Sequence, residues 1–406
     1  MLADGSDIGS IAISNNVFNG NYGSLYIGGD AAIGGTLNVS SNIFNGNSIG
    51  FEGCAQIWFC PAVTFNGNTF ATNGLSVTLN GNNAVTLTGN TFTGNSGGIV
   101  VQDWETEFGL ASGTNVTISG NVFMGNSNST VVVASSEAAV NVQANMFEQN
   151  ISAGNGGALY VSAPNVTISD NLVVGNEQTN VSATGGGVWV DASAELAFIN
   201  NTITGNVSVG GGGGVAFKIN GTVEILNVFN NIIWGNYGSP GADVWLAGTG
   251  EERIFSNNDA HDLFGIWDLF EDNLDVDPQF VALATGDYHL QNGSSCLDAG
   301  TTAAPFLPAV DLEGNPRTVD GTVDLGCYEL SAPAPLMLTI SLSPAGGVTL
   351  QWPCTTGATY IVQQSTDLTQ GFHNWTGALP ATPPVNTYSD TFEPGATTVF
   401  YRVKVQ

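Results

Sequence analysis

The sequence predicts an all-β chain: a parallel β-helix (a solenoid of stacked coils) followed by a small antiparallel β-sandwich. Three observations carry this. The motif Asn-x-φ-x-Gly-Asn, with Phe, Ile or Val at φ, begins at Asn16, Asn42, Asn68, Asn90, Asn121, Asn145, Asn171, Asn201 and Asn231, a period of 22 to 31 residues. A fixed period of that length marks one supersecondary unit stacked on copies of itself. Within each period apolar residues alternate over short runs broken by Gly and Asn, and no run has the 3.6-residue period of a helix. Beyond residue 330 the motif is gone and five alternating segments remain.

One period shows how a coil is built. Between Gly185 and Asn206 lie two alternating runs, Val188/Val190 and Leu196/Phe198, and then the motif. Three short strands joined by three turns fit this length, and nine coils at about 4.8 Å each extend about 40 Å. The central Phe18, Phe44, Phe70, Phe92, Phe123 and Phe147, then Ile203 and Ile233, are expected to point inward and stack on one another. The motif Asn is expected at a turn that tolerates left-handed backbone, its side chain forming a hydrogen-bonded ladder along the stack. Gly supplies positive φ at the next corner. Two copies carry Thr72 and Gln149 where Gly is usual, and a third has Val173 in place of Phe.

Composition excludes several functions. Five Lys+Arg against 34 Asp+Glu give a formal charge of −29. Such a surface repels phosphate backbones and anionic lipid, so neither nucleic acid nor a membrane surface is an expected partner. An extracellular protein or glycan, or copies of the chain itself, is. No apolar run approaches the 18 residues of a membrane span. The first residues lack the regions of a signal peptide, and a coil begins almost at once at Ile11. An uncovered first coil is an unpaired strand edge, which predicts a trimmed or mature product, or an end covered by another subunit. None of the five cysteines is in CxxC spacing and the three His are scattered, so a zinc site has no support. Cys54 and Cys60 flank one loop-like segment, and Cys296 and Cys327 flank the end of the solenoid. Two disulfides and one spare thiol are expected, in keeping with an extracytoplasmic location.

Four regions follow: repeats over 1–250, terminal coils and a closing segment over 251–330, a linker at 331–336, and a β-sandwich over 337–406. The closing segment carries Asp277-Pro-Gln-Phe-Val, Gly286-Asp-Tyr-His-Leu, Cys296-Leu-Asp-Ala-Gly and Asp311-Leu-Glu-Gly-Asn-Pro-Arg, then Val323-Asp-Leu-Gly-Cys-Tyr-Glu. These resemble the segment that ends the rod in secreted bacterial right-handed β-helix proteins. The Gly-Gly-φ-x-φ strands are similar to repeats of polymorphic outer-membrane proteins and other adhesin-like β-helices. The resemblance covers about 11–330 and implies a right-handed solenoid. Cys327 stands where the family more often has Ala; with Cys296 it implies a local disulfide. In the last region Trp352, Tyr401 and Val403 are similar to fibronectin type III modules, which usually act as spacers or docking units.

The search for chemistry centres on outward-facing strand positions. Aligning the Gly-rich strand starts leaves Tyr160, Trp189, Ala216 and Trp245 outward, with Tyr26 at the same place in an early coil. Exposed Trp and Tyr faces suit sugar rings, so Tyr160, Trp189 and Trp245 are the candidate ligand-binding residues. Further along the same strand Asp191 and Lys218 should be neighbours on adjacent coils. A polysaccharide lyase needs a base such as Lys and a cation to neutralise the uronate, which makes them the candidate catalytic pair. The rival reading is a surface ion pair. Glycosidases need clustered carboxylates; Asp103, Glu105 and Glu107 lie together, but in one loop. Asp311, Asp320 and Asp324 are candidate ligands for a structural calcium ion, weighed against hydrogen bonding to turn amides; no other cofactor is implied. The expected function is a secreted structural or adhesive surface rod, able to assemble end to end. The alternative is a polysaccharide lyase or glycosidase, or a non-catalytic carbohydrate-binding protein.

Overall fold

The computed structural model describes residues 9–23, 25–27, 35–47, 54–74, 77–103, 115–128, 131–135, 139–219, 225–248, 250–330, 338–343, 347–354, 358–391 and 398–405. The chain divides into two compact units, Met1–Leu330 and Ser331–Gln406. Among the described residues helical structure is limited to two single 3-10 turns, Leu283–Thr285 and Leu368–Gln370. No helix is long and apolar enough to cross a membrane.

The first unit is the parallel β-solenoid. One sheet of ten strands stacks the motif strands from Val17–Asn19 to Asp259–Ala260. A sheet of 19 strands holds the other two strand columns of each coil. These fuse where Leu159–Ser169 and Val188–Ile199 run through the corner as single strands, with a register shift between Ala163 and Asn165. Alternation decides what is buried. Leu159 and Val161, Val188 and Val190, Val215 and Phe217, and Val244 and Leu246 all fill the core. The motif rings stack as expected: Phe18, Phe44, Phe70, Phe92, Phe123 and Phe147 lie 4.6–5.0 Å apart and tilted by no more than 12°. Val173, Ile203, Ile233 and Ala260 continue the file.

Two asparagine ladders hold the coils in register. In the first, Asn145 donates its backbone N–H and its Nδ2 to Oδ1 of Asn171, both at 3.0 Å. The Nδ2 of Asn171 in turn donates to the Val142 and Ser169 carbonyls and to Asn201. Every polar atom of the buried amide is therefore used, which is what a carboxamide in a dry interior requires. The same pattern extends past the last motif copy, through Asn231 and Asn258 to Asn273. The second ladder runs through the closing Asn of each motif and ends at Asp243, whose Oδ1 accepts from Asn236.

One expectation is corrected here. The ladder asparagines do not carry the left-handed backbone; the residue before each one does. That column reads Asn15, Ser41, Gly67, Gly89, Gly120, Ala144, Asp170, Asn200, Asn230 and Asn257, with φ of 52–63°. Asn is kept at the ladder position for its side chain. The motif Gly corner is left-handed as expected, and the chain holds it even at Thr72 (φ 52°) and Gln149 (φ 54°).

The second unit is two small antiparallel sheets. Thr339–Ser343, Gly347–Pro353 and Val385–Thr391 form one. The other is centred on Thr359–Ser365, which pairs with Phe400–Val405 and with the short strands His373–Asn374 and Leu379–Pro380. Val348, Leu350, Trp352, Tyr360 and Val362 make its core.

Two measurements check this account. Asn171→Ala removes the acceptor of two buried N–H groups and should cost about 3 kcal/mol, read as a lower denaturant midpoint. Gln149→Gly relieves a left-handed non-glycine residue and should raise stability by about 1 kcal/mol in the same assay.

Candidate functional site

The predicted aromatic column forms on the outer face of the strand column that follows the Gly-rich turns. Tyr160 pairs in register with Trp189, Trp189 with Ala216, Ala216 with Trp245 and Trp245 with Phe264. Parallel stacking puts each pair about 4.8 Å apart. The column is largely self-covered. Tyr160 stacks on Trp189 with ring centroids 4.5 Å apart and planes 8° apart. Trp189 is only 5% exposed and Ala216 is fully buried, while Tyr160 and Trp245 are half-buried. Gly-rich turns stack tightly beside it: Gly157, Gly185, Gly186 and Gly187 donate to backbone carbonyls of the next coil. A β-carbon at Gly186 would come within 2.2 Å of the Gly213 carbonyl oxygen, so only glycine permits that approach. Burial raises the Tyr160 pKa; its hydrogen bond with Ser162 opposes this.

Asp191 and Lys218 are register partners, as the sequence predicts, and pair at 3.4 Å with the lysine about half exposed. Of the five cationic side chains in the sequence, Lys218, Arg253 and Arg317 belong to the solenoid unit. Each is bound to an aspartate: Asp191, Asp268 and Asp170 respectively. Asp103 accepts from the Ser135 hydroxyl at 3.0 Å; Glu105 and Glu107 lie outside the described residues.

The feature missed in sequence lies on the neighbouring face. The closing segment packs back onto the outside of the solenoid. Ala304 and Leu307 cover Ala197, Ile199 and Phe229. Cys327 packs on Leu172 and Val174, with Tyr288, Leu312 and Tyr328 around them. The left-handed corner column holds this segment by its side chains. Asn200 donates to the Asp324 and Gly326 carbonyls, Asn230 donates to the Thr301 carbonyl, and Asn257 to the Ala299 carbonyl. Asp170 accepts from Arg317 at 2.6 Å. At Gly326 a β-carbon would sit 2.5 Å from the Thr202 hydroxyl, which explains the glycine. A partial signal was present: in the coils from Asp170 to Asn257 the corner residue is always Asp or Asn, whereas Ser41, Gly67, Gly89, Gly120 and Ala144 stand at the earlier corners after Asn15.

Where the segment stops covering the face, it walls a groove of about 640 Å³. The floor is two outward columns, Asn115–Ala139–Asn165–Glu195 and Thr117–Asn141–Thr167, and the wall is Phe306 to Ala309. The volume is that of a small-molecule or oligomer site. The Oδ1 of Asn141 is buried and has no hydrogen-bond partner. Phe306 is 58% exposed and holds a left-handed backbone (φ 55°), an uncommon geometry for a bulky residue.

The family described as right handed beta helix region matches residues 2–173 and 110–260, more than half of the chain. The chain belongs to that family. No curated protein is significantly similar to it. The solenoid is thus a right-handed β-helix, and its ladders, core files and corners are those described above.

On this β-helix the disulfide expectation is corrected: no disulfide joins Cys54, Cys60, Cys296, Cys327 or Cys354. The extended strand Ala55–Trp58 lies between Cys54 and Cys60 and separates them by about 10 Å or more, beyond disulfide reach. Cys60 instead replaces a corner asparagine and takes the Asn82 Oδ1 on its backbone N–H. Cys296 and Cys327 sit in different clusters; Cys296 donates to Asp259 and the Cys327 amide to Thr202. Burial pushes the Cys54 and Cys327 thiols up to about 12 and Cys60 to about 11, so they are unreactive. The calcium candidates are not gathered at one point. Asp311 is spent on the amides of Glu313, Asn315 and Glu329, and Asp324 on those of Asp298 and Leu330. Asp320 stands on an exposed turn, and the described residues bring together no three His, Cys, Asp or Glu that could hold a metal.

The clasp at Arg317 is pH-sensitive and weakens as pH rises. One buried guanidinium faces two carboxylates, Asp170 at 2.6 Å and Glu329 at 3.4 Å. Burial raises both carboxyls to about 7, against the opposing pull of Arg317, because the dry site does not favour both in charged form. The folded protein therefore binds protons that the unfolded chain has lost above about pH 4. The contribution of these two carboxyls to stability is present in full below about pH 4 and is lost as pH rises through about 7. General repulsion at charge −29 acts in the same direction, so the double variant Asp170→Asn, Glu329→Gln isolates the local share. Its Tm between pH 5 and 8 should fall less than that of the unmodified protein, by differential scanning calorimetry.

Proposed function

We propose that this β-helix works by binding: a secreted, non-catalytic adhesive or structural surface rod with a fibronectin-like carboxyl-terminal module as spacer or docking unit. The observation that carries the reading is the groove, whose outward floor positions are carboxamides and hydroxyls, one alanine (Ala139) and one carboxylate, Glu195. Such groups exchange hydrogen bonds with a ligand but neither take nor give protons near neutral pH. The perturbed carboxylates Asp170, Asp259 and Glu329 are engaged elsewhere, in the contact with the closing segment. Lys218, the base a lyase reading would need, is engaged by Asp191. The extracellular location follows from the resemblance of the closing segment to secreted proteins and from the acidic composition; the cysteines, joined by no disulfide, lend it no support.

Neutral and acidic polysaccharides incubated with the protein, with and without calcium, should be retained on it without yielding reducing ends or unsaturated products. Lys218→Ala and Asp191→Ala should leave retention unchanged. Product formation that scales with protein and is lost in Lys218→Ala would make it a lyase instead.

A further inference from the structure

We infer that the strand Thr339–Ser343 of the second unit is a dimerisation edge, pairing antiparallel with the same strand of a second copy about a two-fold axis at Ser341. The strand lies at the edge of its sheet. Gly347–Pro353 pairs with one side of it, and among the described residues no strand pairs with the other. Such an edge is a template for a further strand. The side chains add an apolar surface to it. Ile340 stands opposite Leu350 and Leu342 opposite Val348, so all four share the core face of the sheet. Leu350 and Val348 are buried there, yet Ile340 is 51% and Leu342 78% exposed. Neither belongs to the core that the two small sheets make between them.

Charge selects a second copy as the occupant. Of the formal −29, the unit Ser331–Gln406 carries only −1, from Asp367, Asp390 and Glu393 against Arg402 and Lys404. Two copies therefore repel least where these units meet. The other sheet edges of the unit carry charge. Phe400–Val405 has Arg402 and Lys404, and Val385–Thr391 has Asp390, which accepts from Tyr401 and Gln364. Thr339–Ser343 has neither a charge nor a proline to deter pairing. Its sequence, Thr-Ile-Ser-Leu-Ser, is also self-complementary. Antiparallel pairing centred on Ser341 uses all five residues and sets position 340 of each copy against position 342 of the other, apolar on apolar. Such a contact is isologous and closes at two copies. The assignment deepens the docking-unit reading of this module and is independent of what the solenoid binds.

The test is sedimentation equilibrium of the full chain. A five-residue edge belongs with small, transient interfaces, so a monomer–dimer equilibrium is expected between about 10 µM and about 1 mM. Added salt should strengthen it, because repulsion between the acidic solenoids is screened while the apolar contact remains. Leu342→Lys, at an exposed position, should weaken the dimer about tenfold with Tm unchanged. Ile340→Lys combined with Leu342→Lys should abolish it. Ile340→Lys combined with Leu342→Glu should restore it, because unlike charges then face each other across the axis. The assignment falls if the unmodified protein is monomeric at every concentration and salt, or if species larger than dimers grow with concentration. It falls equally if Leu342→Lys leaves the dimer intact, or if the mixed-charge variant is as monomeric as the one with two lysines. A monomeric protein would make the module a spacer, while the polysaccharide assay still decides the binding reading of the solenoid.

Discussion

The hydrogen bonds between each corner asparagine and its equivalent in the next coil are the constraint on which this structure depends. A single Oδ1 accepts two N–H groups from the neighbouring coil, as Asn171 does from Asn145, and the geometry is met at one height and one register only. Because the amide is buried, a slip would leave several polar groups unpaired in a dry interior. The stacked phenylalanines add contact area but tolerate Val173 and Ala260 in their file; the ladder tolerates less. Register fixed in this way places every second side chain in a straight column. Outer faces with ligand-sized repeats are a consequence of the ladder.

The closing segment is the second organising contact, and it exploits a by-product of the first. Each ladder asparagine is preceded by a left-handed corner residue whose side chain is free to leave the coil. In the later coils those residues are Asp170, Asn200, Asn230 and Asn257, and they bind the segment from Ala299 to Gly326. The segment then seals Ala197 and Ile199 and ends as the wall of the groove. Cations are too few to serve elsewhere: Arg317 is fully buried in this contact and Arg253 grips Asp268 through two nitrogens. In the solenoid unit Lys218, Arg253 and Arg317 are each paired with an aspartate.

Much of the solenoid was legible because its rules are local and repeated. The period located the coils, alternation separated Val188 and Val190 from Trp189, and the aligned Gly-rich starts correctly made Asp191 and Lys218 neighbours. What misled was chemistry that depends on surroundings. Asn was credited with the left-handed backbone of the residue before it. Trp189 points outward, but Tyr160 covers it, and outward on a strand does not mean exposed. Cysteine spacing suggested disulfides because distance along a chain says little about distance across an extended strand.

By itself the sequence determined the stack: a repeat of about one coil, apolar alternation and paired asparagines leave one economical way to bury apolar groups and satisfy amides. Tertiary structure alone decided the site. The groove joins floor residues Asn115 to Glu195 with a wall at Phe306, more than a hundred residues later than any of them. No local pattern records that contact, because it depends on where a non-repeating segment docks, and docking is set by shape and by partners such as Asp170 and Arg317.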